Sequence, residues 1–92
     1  MQYFLSAAFE KSLRGLEESR KSRVKKALRM TVAFFETGSL PGGLGLKPLR
    51  SNVWEVRAGL EDRILFQKKE SYLIEFLMVG SHDEIKRYFK RL

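Results

Sequence analysis

Beyond Lys47-Pro48-Leu49-Arg50 the apolar residues of this chain change from a helical to an alternating period, and that change confines the body of the chain to a helical hairpin followed by strands. From Ala7 onward, Phe9, Leu13 and Leu16 recur at helical spacing with Glu10, Lys11, Arg14 and Glu17 between them. A second helix is predicted from near Ser22, with Val24, Ala27, Leu28, Thr31, Phe34 and Phe35 on its inner side and Gly38 as its stop. Beyond Lys47-Pro48-Leu49-Arg50 the pattern alternates. In Val53-Trp54-Glu55-Val56-Arg57, Trp54 and Val56 take one face and Glu55 and Arg57 the other; in Arg63-Ile64-Leu65-Phe66-Gln67, Ile64 and Phe66 point inward. The intervening turns read as Gly59 to Asp62 and Lys68-Lys69-Glu70-Ser71. In the last strand, Tyr72, Ile74, Phe76 and Met78 share one face, and Leu73, Glu75, Leu77 and Val79 the other. With Tyr3-Phe4-Leu5 as a short first strand, the expected fold class is α+β. An N-terminal strand and an αα-hairpin pack on one face of a mostly antiparallel sheet, and a C-terminal helix closes a single domain over residues 1–92.

The junction of the last strand and the last helix is the most informative stretch. Gly80 ends the strand, and Ser81 with Glu84 three residues on forms a capping box, each side chain bonding the other's backbone N–H. His82, the only histidine, therefore falls in the first helical turn, at the carboxyl edge of a sheet and beside N–H groups that favour an anion. Capping boxes are common and any residue can occupy the first turn, so this motif alone reads as a surface histidine in a well-capped helix.

Composition narrows the chemistry. Without cysteine there is no disulfide framework, thiolate metal site or thiol nucleophile, and a single histidine argues against zinc; no metal or cofactor is expected. No segment approaches the roughly 20 apolar residues of a membrane span, and Met1-Gln2-Tyr3-Phe4-Leu5 lacks a signal-peptide pattern, so a cytoplasmic protein without a membrane partner is expected. Eighteen basic residues against eleven acidic ones give a net charge of +7, which favours a polyanionic partner, nucleic acid before anionic membrane. Much of that charge lies on the hairpin, at Lys11, Arg14, Arg20, Lys21, Arg23, Lys25, Lys26 and Arg29, and reads as a solvated face that attracts RNA from a distance. The glycine-rich Thr37–Gly45 stretch lacks the Gly-Lys-Ser/Thr ending of a P-loop and is expected to be a mobile connection. The sheet face opposite the hairpin collects Glu55, Arg57, Arg63 and Glu75 beside Leu65, Leu73 and Leu77. Part of it is expected to lie under the last helix, through Ile85, Tyr88, Phe89 and Leu92, and the rest to meet a protein partner.

Over nearly its whole length the chain resembles the RelE/ParE superfamily of type II toxin–antitoxin toxins. The resemblance rests on Phe9-x-x-x-Leu13-x-x-Leu16, Leu49-Arg50, Trp54-Glu55-Val56-Arg57, Arg63-Ile64-Leu65-Phe66 and Gly80-Ser81-His82-Asp83-Glu84-Ile85, in that order. It implies a toxin held by a cognate antitoxin, in a toxin–antitoxin hetero-oligomer. RelE-like members cleave mRNA, typically on the ribosome, whereas ParE-like members act on DNA gyrase. Carried over by residue, Arg63 matches the arginine near the scissile phosphate, His82 a catalytic histidine or arginine, and Tyr88 a catalytic tyrosine. Arg50 and Arg57 match RNA-holding residues, and Lys47 and Lys86 are the further RNA-binding candidates. Glu55 departs from the family, standing where RelE has a lysine, and is the candidate carboxylate base, with Glu75 as a second. Two activities follow: a metal-independent endoribonuclease that inhibits translation, and a toxin that binds gyrase or another protein without cleaving anything. A titratable histidine near Arg63 favours the first.

Overall fold

The computed structural model describes residues 1–40 and 42–92. In chain order the elements are β1 (Gln2–Leu5), α1 (Ala7–Arg14), α2 (Glu18–Thr37), β2 (Leu46–Arg50), β3 (Val53–Ala58), β4 (Asp62–Glu70), β5 (Leu73–Gly80) and α3 (His82–Lys90). The strands form one sheet in the order β1-β5-β4-β3-β2, with β1 parallel to β5 and every other pair antiparallel. The expected α+β architecture holds. Among the described residues no helix is long and apolar enough to cross a membrane.

Local expectations change at several points, and β4 runs through most of the expected Lys68–Ser71 turn. The second helix starts at Glu18 rather than near Ser22, because a run of charged residues propagates a helix as well as an apolar one once Val24 and Ala27 anchor it. Gly38 stops it, in the left-handed conformation at φ 76°. Residues 46–50 are a strand that alternation did not reveal. β2 is an edge strand, so Pro48, with no N–H to give, is tolerated there. Pro41, within the connection expected to be mobile, lies outside the described residues.

α1 and α2 cover one face of the sheet. Its core is aromatic: Phe66 and Phe76 lie 5.6 Å apart, and Phe9, Phe35 and Trp54 surround them at 5.9, 5.8 and 6.4 Å. Burying each such ring contributes on the order of 2–3 kcal/mol, so this layer dominates stability. On the other face α3 builds a smaller core, Ile85 packing on Val53, Leu65 and Leu77.

The alternation expected for β5 breaks at a bulge. Leu65 pairs with Met78 but the next residue, Phe66, pairs with Phe76, which leaves Leu77 as an extra residue. Beyond it the faces exchange, so Val79 joins the hairpin side and Met78 turns toward α3, the reverse of strict alternation. The bulge is held from α1. Ser6 Oγ caps α1 by accepting from Phe9 N–H and donates to the Leu77 carbonyl at 2.9 Å, while Ser12 Oγ accepts from Val79 N–H at 3.2 Å. β1 ends opposite Phe76, so these two serines supply the partners that a longer strand would have given. Tyr72 belongs to the turn before β5 and is exposed.

Candidate active site

α3 is positioned by its first residues. Ser81 Oγ accepts from Glu84 N–H at 3.2 Å, and Ser81 N–H donates to Glu84 Oε1 at 2.8 Å, completing the capping box. Gly80 makes this possible: a Cβ there would stand 2.9 Å from Glu84 Oε1, where the carboxylate folds back. The two Ser81 hydrogen bonds, backbone first, hold the Glu84 carboxyl below its usual range. His82 is thereby fixed as the first residue of the helix, with its side chain exposed.

Below it lies a pocket of about 260 Å³ between α3 and the β2–β3 edge, lined by Lys47, Leu49, Glu55, His82, Ile85, Lys86 and Phe89. Lys47 and Glu55 are paired across β2 and β3, which brings them together. Arg63 stands opposite Gly80 in the β4–β5 ladder, next to the start of α3. Its Nε lies 3.3 Å from Glu55 Oε2, with both side chains largely buried. The N–H is not aligned for a hydrogen bond, and among the described residues it has no other acceptor. Glu55 is thus held by charge without being locked in direction. With Glu55 balanced by Arg63, the two lysines leave the pocket electropositive. A carboxylate, an imidazole and surrounding cations are the groups that proton transfer at a phosphodiester needs.

Other expected site residues lie elsewhere. Tyr88 points to the opposite side of α3, into a groove against α1 shared with Lys11, Ser12 and Arg20. Positions 82 and 88 are six residues apart, which on a helix separates their directions by about 120°. Arg50 stacks on the Phe89 ring at 4.7 Å and opens onto a hollow beyond it. Arg57 faces a third cleft with α2. Glu75 is engaged by Lys69 Nζ at 2.8 Å, which leaves Glu55 as the carboxylate of the pocket. Arg20, read as part of a solvated face, is a structural residue instead: it donates two hydrogen bonds, 2.9 and 2.6 Å long, to the buried carboxylate of Asp62. These bonds hold its guanidinium above its ordinary pKa. Asp62 immediately precedes Arg63, so the pair fixes the start of β4 where the pocket needs it. No sequence period announces such a contact, because its partners are 42 residues apart.

The fold is that of the RelE/ParE toxins. Among solved structures, RelE from Methanococcus jannaschii, in its complex with RelB, superposes with a TM-score of 0.68 at 22% identity, over 94% of this chain and 98% of that one. YafQ from Escherichia coli gives a TM-score of 0.70 at 18% identity, covering 91% and 96%. A YoeB/ParE toxin from Agrobacterium tumefaciens gives 0.66 at 17%, covering 89% and 99%. No family model and no curated protein matches the sequence.

Proposed function

We propose that the protein is the toxin of a type II toxin–antitoxin pair and acts as a metal-independent endoribonuclease on ribosome-bound mRNA, inhibiting translation. The observation that carries this is the convergence of Glu55, His82, Lys47 and Lys86 on one pocket, with Arg63 against Glu55. In this reading the Glu55 carboxylate takes the proton of a ribose 2′-OH as its oxygen bonds to phosphorus. His82, as imidazolium, gives a proton to the 5′-oxygen as the P–O5′ bond breaks. The products are a 2′,3′-cyclic phosphate and a 5′-hydroxyl end. Arg63, Lys47 and Lys86 offset the extra negative charge of the phosphorane.

The test is single-turnover cleavage of mRNA with and without ribosomes and with a chelator. His82→Ala and Glu55→Gln are each expected to slow cleavage by about 10²–10⁴-fold, the range for a positioned acid or base, with the circular dichroism of the folded protein retained. Arg63→Lys retains only part of the activity, because an ammonium lacks the planar fork that spans two phosphate oxygens. Full activity in a folded His82→Ala protein would remove histidine from the mechanism. Intact mRNA under every condition would favour the protein-binding alternative, with gyrase as the first target to try.

RelE from Methanococcus jannaschii and YafQ from Escherichia coli were each solved with an antitoxin, RelB and DinJ. By that likeness this chain's partner is a cognate antitoxin in a hetero-oligomer. Leu65 and Leu77 are already buried beneath α3, so of the three leucines on this face Leu73 is left for a partner, half-buried at the end of β5 beside the exposed Phe4 and Tyr72. Leu73→Lys is expected to weaken the antitoxin complex; unchanged affinity would move the partner to another face.

A further inference from the structure

We infer that the hollow bounded by Arg50, Ser51, Gln67 and Phe89 is a nucleobase subsite, in which Gln67 reads a base, adenine first, on the nucleotide next to the phosphate held at the His82 pocket. It rests on the nuclease reading of that pocket.

The two sites share a wall. Phe89 lines both, and Val53, which lines the hollow, precedes Glu55 of the pocket by two residues on the same face of β3, about 7 Å away at the rise of an extended strand. Both sites lie on the sheet face that α3 covers. A strand whose phosphate sits between Lys47 and Lys86 therefore has a neighbouring nucleotide within reach of the hollow.

The lining is that of a base site and not of a phosphate site. The hollow has a volume of about 180 Å³, and its lining is Arg50, Ser51, Val53, Gln67, Phe89 and Leu92. Its one cation is already engaged by an aromatic ring, because Arg50 lies over Phe89 at 4.7 Å. A planar base laid on that guanidinium extends the stack, as bases do on arginine planes in single-strand recognition. Ser51 and the half-buried Gln67 supply neutral polar groups, and neither side chain hydrogen-bonds another described residue.

Local structure sets these two groups beside each other. Gln67 stands opposite Val53 in the β3–β4 ladder, and Lys68 N–H donates to the Asn52 carbonyl at 2.9 Å, which ties the β2–β3 turn to β4. In that turn Ser51 and Asn52 have φ of 51° and 62°, the left-handed region that glycine fills most easily. Glycine at position 51 would relieve the strain but bring no hydroxyl to the hollow. The Gln67 amide offers one donor and one acceptor side by side, the match for the N7 and N6–H groups of adenine; guanine presents two acceptors on that edge. An acidic peptide has no ring to continue the Phe89 and Arg50 stack.

The experiment uses single-stranded 2′-deoxy oligonucleotides of about four nucleotides, the lower end of a single-strand site, which have no 2′-OH to attack phosphorus. The strands are thymine throughout except for one internal position, set in turn to adenine, guanine, cytosine or thymine. They are titrated into the ¹⁵N-labelled full chain and followed by NMR, which reads weak binding and reports the Gln67 side-chain amide directly. The adenine strand is expected to bind about fivefold or more tighter than the thymine strand, the low end for a bidentate contact, and to shift the Gln67 amide signals. Gln67→Ala is expected to bring the two strands within about twofold of each other while the His82 and Lys86 signals still move. Gln67→Glu, of the same shape but with acceptors only, is expected to rank cytosine above adenine. Equal affinity for all four bases in the unmodified protein, or an adenine preference that persists in a folded Gln67→Ala protein, would overturn the subsite. Shifts at His82 and Lys86 without base preference overturn the subsite alone, whereas failure of every strand to bind would overturn the nuclease reading with it.

Discussion

Arg20 and Asp62 show how one ion pair shapes a site that neither residue enters. Asp62 is buried, and its carboxylate takes both Arg20 hydrogen bonds, so removing Arg20 strands a charge in the interior. Arg20→Met is expected to cost about 3–5 kcal/mol in denaturant unfolding at neutral pH. Because Arg63 follows Asp62, cleavage should fall with stability; Arg20→Lys, which keeps the charge but not the fork, should recover only part of each. Tyr88 is the opposite case at the same scale. It packs with Leu77 and Ile85 and faces away from His82, so Tyr88→Phe is expected to retain cleavage. A large loss of turnover in that variant, with binding unchanged, would mean that α3 rearranges to bring the hydroxyl to substrate.

At the scale of elements, α3 depends on its cap. Glu84→Ala is expected to lower stability by about 0.5–1 kcal/mol at neutral pH, the usual worth of a capping partner and of an acidic residue at a helix start. Since the folded pKa of Glu84 is depressed, this contribution is complete above the ordinary carboxylate range and is lost as pH falls through the lowered value. Thermal melts of the two proteins should therefore differ near neutrality and converge in acid; a constant gap would assign the effect to packing. The cap was legible because its signal is local, Ser81 and Glu84 at fixed spacing after an apolar strand. The same holds for β3 and for β4 from Arg63 to Gln67, where a period of two survives. The exchange of Met78 and Val79 was not legible, because the bulge at Leu77 is held by Ser6 and Ser12, whose hydroxyls lie 71 and 67 residues away from the groups they bond. β2 was hidden for a related reason, since five residues at an edge, one of them proline, carry too little alternation to declare a strand. The site followed the same rule: residues sharing a strand face or a helix turn were found, whereas the Arg20–Asp62 pair that sets the start of β4 joins residues 42 apart and escaped notice.

For the whole molecule the decisive quantity is how much of the +7 charge remains free to meet a polyanion. Several cations are committed: Arg20 to Asp62, Lys21 to Glu18, and Lys69 to Glu75. Lys47 and Lys86 in the pocket and Lys26 and Arg57 in the cleft beside α2 make no ion pair among the described residues, and Arg63 is shared with Glu55. If these five meet phosphates, log K for a single strand falls against log salt with a slope near about −3.5, so raising salt from about 50 to 200 mM weakens binding about 10²-fold. The slope, measured by anisotropy on an uncleavable strand, counts contacts rather than net charge. A change such as Lys25→Ala should lower it little, while Lys47→Ala should lower it by about 0.7. A flat response would mean that the free cations do not meet phosphate at all, and the surface at the exposed Phe4 and Tyr72 and the half-buried Leu73 would then become the first place to look for a protein target.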